Sequence, residues 1–324
     1  MNTYHEPVTI VFGAAGYIGS WVVRSLIDEG YRVKAFDCYL FGNSGLIDLS
    51  HPNLEIIEGN ICDILSVSRA IRGADCVIFL SAIVGSRFAD IQNPQLREVN
   101  LLASSAVLDA AIEHGVSRFI FASTDSVYGA MSGLMYETAT PEPISLYSRL
   151  KLRMEERVIR AKSRYFHPTA LRIATCYGYS PRMRFDLVPN ALIRDAVRRN
   201  KITIKAQDSC RAFIHVKDAA TAVISCAKAH INLVSGEVFN VGSNEQNATI
   251  KHLANIVSSM CPWIEVVLED EEPDLVDYRL SCVKIRRLLD FVPEWTFEHS
   301  MEDLKERLSK GEFDDPYNAK YCNT

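Results

Sequence analysis

Three clusters in this chain of 324 residues carry side chains at spacings suited to chemistry. The first is Gly13-Ala-Ala-Gly16-Tyr-Ile-Gly19. Glycines let a backbone turn tightly and approach a pyrophosphate, and a helix N-terminus behind them offers free N–H groups to the anion. Asp37 follows Gly19 by 18 residues. A carboxylate there accepts hydrogen bonds from adenosine ribose hydroxyls and repels a 2′-phosphate, and no Arg immediately follows it, so the pattern favours NAD over NADP. The second cluster is Tyr147 and Lys151, the only Tyr-x-x-x-Lys in the chain. On a helix these positions share a face, and an ammonium beside a phenol lowers its pKa toward neutrality and makes it a usable base. The third is Ser123-Thr124-Asp125-Ser126-Val127-Tyr128-Gly129, whose hydroxyls and carboxylate suit a sugar hydroxyl. The plainer reading of that stretch is a turn whose Ser, Thr and Asp cap themselves.

The elements that would position these clusters follow from periodicity. Val8–Phe12 reads as a strand, 21–29 as a helix stopped by Gly30, and 31–36 as a second strand ending at Asp37. The alternation continues with strands at Leu54–Ile57 and Cys76–Leu80, a helix over Asn100–His114 closed by Gly115, and a strand at Arg118–Ala122. An amphipathic helix over Leu146–Ala161 and a strand over Thr169–Thr175 complete the regular part. The third cluster therefore falls at the carboxyl end of a strand, where open α/β sheets bind ligands. The pattern predicts a Rossmann-type, doubly wound parallel α/β sheet over residues 1–178 and a smaller C-terminal substrate-binding α/β domain over 179–324. The apolar runs Ala212–Val216 and Glu237–Val241 are expected to return to the first sheet.

Composition excludes other classes. The chain is 48% hydrophobic and 23% charged, the balance of a folded globular protein. A net charge of −5 gives no general attraction to nucleic acid or to an anionic membrane. No run approaches the roughly 18 apolar residues of a membrane span, and the first seven residues lack the character of a signal peptide. Nine scattered cysteines and eight scattered histidines form no zinc-type spacing, so no metal is expected and the thiols indicate a reducing cytoplasm. The basic stretch Arg194, Arg198, Arg199 and Lys201 reads as a solvated helix end, His215 as a packed histidine, and Cys176 as an inert thiol.

Further motifs stand in order along the chain: Gly59-Asn60-Ile61-Cys62-Asp63, Phe79-Leu80-Ser81-Ala82, Val99-Asn100, Leu171-Arg172, Tyr177-Gly178 and Arg211-Ala-Phe-Ile-His-Val-Lys-Asp218. Together with the three clusters they make the chain resemble the extended short-chain dehydrogenase/reductases of the nucleotide-sugar epimerase/dehydratase family, from about Val8 to Trp295. The resemblance implies that Gly13, Gly16, Tyr17, Ile18 and Gly19 line the NAD pyrophosphate and that Asp37 meets the adenosine ribose. It implies Asn60 and Ile61 at the adenine, with Asn60 where relatives usually carry Asp. Leu80, Ser81 and Ala82 would pass beneath the cofactor, with Asn100 supporting that wall. Thr124 matches the residue that bonds the sugar C4 hydroxyl, with Asp125 beside it. Tyr147 matches the base and Lys151 the residue on the nicotinamide ribose. On the substrate side, Thr175 stands where many epimerases have Asn, Arg182 reaches toward the nucleotide sugar, and Arg211 matches a diphosphate-binding arginine. Where many relatives carry another Arg, this chain has Val276, and Arg279 is the candidate replacement.

The implied reaction is a 4-epimerisation of a nucleotide-diphosphate sugar through a transient 4-keto sugar, by a homodimer. A 4,6-dehydratase shares the first oxidation but often reads Thr-Asp-Glu where this chain has Thr124-Asp125-Ser126. Decarboxylation or net 4-oxidation are further alternatives within the family. A non-catalytic dinucleotide-sensing module is the alternative outside it, and the presence of both Tyr147 and Lys151 argues against it.

Overall fold

The computed structural model describes residues 7–84, 94–129, 131–269 and 277–323, so Val276 lies outside the described residues. In chain order the strands are β1 (Val8–Phe12), β2 (Arg32–Asp37), β3 (Leu54–Glu58), β4 (Cys76–Phe79), β5 (Arg118–Thr124), β6 (Ser132–Met135) and β7 (His167–Ile173). They continue with β8 (Thr175–Tyr177), β9 (Lys201–Ile204), β10 (Cys210–His215), β11 (Glu237–Val241), β12 (Asn247–Thr249), β13 (Glu265–Leu268) and β14 (Asp277–Leu280). Seven of them form one parallel sheet in the order β11-β7-β5-β4-β1-β2-β3. All five residues of β1 are buried, as expected of an apolar strand covered on both faces. Alternate side chains feed different layers. Ile10 and Phe12 join Phe36, Phe79, Phe119 and Phe121 in one core, and Val11 joins the other.

The helix Gly19–Asp28 follows the glycine turn, and Leu146–Arg160 is the amphipathic helix that carries Tyr147 and Lys151. The segment expected as one helix over Asn100–His114 is π-helical over Glu98–Ala103 and α-helical over Ser104–Glu113. Val107, Leu108 and Ala111 pack into the core beneath the sheet, and Leu102 faces outward, 60% exposed.

Two strand expectations are corrected. The run Thr169–Thr175 is two strands: β7 ends at Ile173, and β8 begins at Thr175 in another sheet. β10 does not return to the main sheet. It lies between β8 and β12 in a three-stranded sheet, whereas β11 adds to the outer edge of β7. A strand has two hydrogen-bonding edges, and those of β7 are taken by β5 and β11. The basic helix end is not simply solvated either. In the helix Val188–Arg199, Arg194 and Arg199 stack on Tyr317, at 4.4 and 4.0 Å from the ring centre, and Arg198 donates to the Phe313 carbonyl.

Candidate active site

A cavity of about 590 Å³ opens along the carboxyl ends of the main sheet. Its wall includes Gly13 after β1, Asp37 at the end of β2, Asn60 after β3, Leu80 after β4, Thr124 at the end of β5 and Ile173 at the end of β7. The volume lies within the range of small-molecule and cofactor sites.

At one end the glycine turn sets the geometry. Gly13 has φ +81°, and a Cβ there would lie 2.8 Å from the Ser81 nitrogen; a Cβ on Gly19 would fall on the Gly13 carbonyl. The turn is thus built for close backbone approach, which fits the pyrophosphate of a dinucleotide. Asp37 accepts from the backbone N–H of Ala15 at 2.9 Å and of Tyr39 at 2.8 Å, so its carboxylate is fixed at the turn. Asn60, Ile61, Leu80, Ser81 and Ala82 also line the cavity. Asn60 accepts from the Cys62 N–H, which shapes the loop. Asn100 is buried outside the lining and exchanges two hydrogen bonds, at 2.8 and 2.9 Å, with the backbone of Ile83, which does line it. Tyr17 and Ile18 line it too, but the Tyr17 hydroxyl is committed elsewhere: it donates to the Gly178 carbonyl at 2.5 Å and accepts from Asn190.

At the other end, Thr124, Asp125, Tyr147, Lys151 and Thr175 share the cavity wall. Ser145 caps their helix with a reciprocal bond to Ser148, so Tyr147 sits in the first turn and Lys151 one turn on. Thr124 is hydrogen-bonded to Tyr147, and it caps the 3-10 turn Asp125–Tyr128 by accepting from the Ser126 N–H at 3.2 Å. The expected lowering of the Tyr147 pKa is not produced by this chain's own groups. Enclosure raises it and the Asp125 charge adds to the rise, against smaller opposing effects of Arg184 and Thr124. Burial meanwhile pulls Lys151 down to about 7, opposed by Glu155. The lysine is itself dehydrated, with its ammonium 4.3 Å from the centre of the Phe121 ring. Burial pushes Asp125 up to about 7, against Arg211, Tyr278 and Thr124.

The arginines depart from the expectation. Arg182 lines the cavity on the Asp37 side, stacked 4.7 Å from the centre of the Phe41 ring. Arg184, which sequence spacing did not single out, is the arginine whose charge acts on Tyr147; it also lines the cavity and is paired with Asp186 at 2.6 Å. Arg211 lies outside the lining, in β10, and acts on Asp125. Arg279 is exposed on β14, outside the lining, and the buried Tyr278 next to it reaches Asp125. His215 is buried and stacked on Trp295 at 4.2 Å, and burial pulls it down to about 3. Cys176 lines the cavity, but burial pushes its thiol up to about 12, which leaves it unreactive. Among the described residues no cluster of His, Cys, Asp and Glu could hold a metal ion.

The model of the NAD dependent epimerase/dehydratase family matches residues 9–242. YtcB of Bacillus subtilis, named an uncharacterized UDP-glucose epimerase, is 29% identical over 75% of this chain and 78% of its own. The dTDP-glucose 4,6-dehydratase of Streptomyces griseus is 26% identical over 88% of each chain. Among solved structures, MoeE5 in complex with UDP-glucuronic acid and NAD is similar with a TM-score of 0.82 and 25% identity, over 94% of this chain and 99% of that one. Relatives named for different reactions stand at similar identity, so the comparisons fix the family and not the individual reaction. The family model spans well over half of the chain, and on these grounds the chain belongs to the NAD dependent epimerase/dehydratase family, as an NAD-dependent enzyme of nucleotide sugars.

Proposed function

We propose that the protein is a nucleotide-sugar 4-epimerase working through a transient 4-keto sugar. The observation that carries this reading is that Thr124, Tyr147 and Lys151 share one cavity wall with the glycine turn and Asp37. The turn and Asp37 would hold the dinucleotide, and Lys151 would bond its nicotinamide ribose. Held there, NAD would supply the hydride acceptor and donor for C4. Tyr147 Oη takes the C4 hydroxyl proton, directly or across Thr124 Oγ1, and gives it back after the keto sugar has turned its other face. Because enclosure favours the phenol, the proton acceptor is helped by the positive charge of Arg184 and the hydrogen bond from Thr124. Arg211 and Thr175 would anchor the sugar diphosphate.

A 4,6-dehydratase is the second reading. Asp125, held up to about 7, can carry the proton such an enzyme delivers to the C6 hydroxyl. Ser126 stands where dehydratases often carry Glu, which favours the epimerase. The test is incubation of the protein with NAD and a panel of UDP-, GDP-, CDP- and dTDP-sugars, followed by NMR of the products. A C4-inverted sugar supports the proposal, and loss of water supports the second reading. Tyr147→Phe should reduce turnover by about 10²–10⁴-fold, the range of general-base contributions. Unchanged turnover in that variant removes Tyr147 from the mechanism. We also read the protein as a cytoplasmic homodimer; Leu102 supplies an exposed apolar contact, and sedimentation velocity tests the dimer.

A further inference from the structure

The loop Ser180–Leu187 is gripped from two sides. From the glycine-turn side, Ser180 Oγ donates to the Tyr17 carbonyl at 2.8 Å, and the Trp21 indole donates to the Tyr179 carbonyl at 3.0 Å. From the opposite side comes the segment Phe313–Asn323, which follows the helix Phe297–Ser309. The Phe185 N–H donates to the Tyr321 carbonyl at 2.8 Å, Arg182 donates to the Cys322 carbonyl at 3.1 Å, and the Asn323 N–H donates to Asp186 at 3.3 Å. Phe313 and Tyr321 pack on the Phe185 ring at 5.0 and 5.6 Å between centres. Tyr317 anchors the middle of the segment, between two guanidiniums and with its hydroxyl donating to Asp195 at 2.8 Å.

This segment reaches the cavity. Asn323 lines it, only 7% of the residue is exposed, and Oδ1 of its side chain has no hydrogen-bond partner among the described residues. Buried amide groups are normally paired, so this residue of the cavity wall keeps bonding capacity that no described residue uses. Its neighbour in the wall is Arg182, which ties the Cys322 carbonyl to the Phe41 ring on the Asp37 side. That side belongs to the adenosine half of a dinucleotide, because Asp37 ends the strand after the glycine turn.

We propose that Phe313–Asn323 is a clasp of the dinucleotide site: it fixes Arg182 against the Asp37–Phe41 turn and presents the Asn323 amide to the ribose and phosphate groups of the cofactor's adenosine half. An amide can accept from a ribose hydroxyl and donate to a phosphate oxygen. Tyr317, outside the cavity, acts only by holding the clasp down. The inference rests on the reading that this cavity holds NAD, which wild-type binding tests by itself.

The experiment is calorimetric titration of NAD, and separately of ADP, into cofactor-stripped full-length protein, with melting of the apo forms alongside. Asn323→Ala should weaken both ligands by roughly threefold to tenfold, the range of one hydrogen bond. Tyr317→Ala should weaken both by a comparable or larger factor and speed hydrogen exchange across 180–187. Tyr317→Phe keeps the ring between Arg194 and Arg199 and should bind nearly as wild type. Wild-type binding with both alanine variants within twofold overturns the clasp alone, as does loss of NAD affinity with ADP affinity intact. Absence of NAD binding by the wild type overturns the site reading and the clasp with it. If Tyr317→Ala does not fold, Asn323→Ala and Tyr317→Phe decide the matter.

Discussion

Lys151 is a positive charge kept where water cannot solvate it, 3% exposed and pulled down to about 7. In the unfolded chain the same amine returns to its ordinary value near 10.5. Between those two values the unfolded state binds more protons, so stability is lost as pH falls from about 10.5 toward 7 and the loss is fully present below 7. The NAD-free Lys151→Met variant should therefore be more stable than wild type at pH 7, by an amount on the order of a few kcal/mol, and the advantage should shrink toward pH 10. Urea melts at both pH values check this, and an unchanged or lower stability at pH 7 contradicts it. The same variant should lose turnover. Much at this scale was legible in the sequence, because Gly13–Gly19 and the Tyr147–Lys151 spacing are encoded locally and their elements bring them to one cavity wall. Arg184 and Asn323 were not, since their place in the wall depends on how a loop and a distant segment travel.

The helix Leu146–Arg160 does more than space two residues. Glu155 continues the face of Tyr147 and Lys151 one turn further, and its buried carboxylate accepts from Arg172 of β7 at 2.7 Å and from Ser123 of β5 at 2.5 Å. Arg172 also donates to Tyr128, which donates to Asn240 of β11, so one polar chain ties the helix to three strands of the sheet. Removing one partner strands a buried charge. Glu155→Ala should cost about 3–5 kcal/mol in chemical denaturation, and the double variant Glu155→Leu with Arg172→Met should recover most of that. A loss under 1 kcal/mol for the single variant contradicts the assignment. Strands β1 to β5, β7, β10 and β11 and the helix Leu146–Arg160 were readable from periodicity, but the break between β7 and β8 was not. It falls at Ala174, with neither Gly nor Pro to mark it, where the chain passes from β7 to a strand that pairs with the distant β10.

At the scale of the molecule, a chain of net charge −5 must meet two dianionic nucleotides through local devices, and in the cavity wall these are the guanidiniums of Arg182 and Arg184 together with the glycine turn. The doubly wound half was visible in the sequence as alternating strands and helices, and so was the return of β11 to that sheet; the slackening of the pattern after residue 178 hid where β10 goes. Residues 1–178 alone contain β7 but not β11, so that fragment should form soluble aggregates in size-exclusion chromatography where the full chain does not; a monodisperse, cooperatively melting fragment contradicts this. The same arrangement bears on how the protein is made. When β7 has just been synthesised, the strand that will cover its outer edge still lies more than sixty residues ahead. Long-range parallel pairing is slow, and an open strand edge invites other chains. The nascent enzyme thus passes through a stage with an unprotected sheet edge, and conditions that slow translation between residues 173 and 241 should lengthen it.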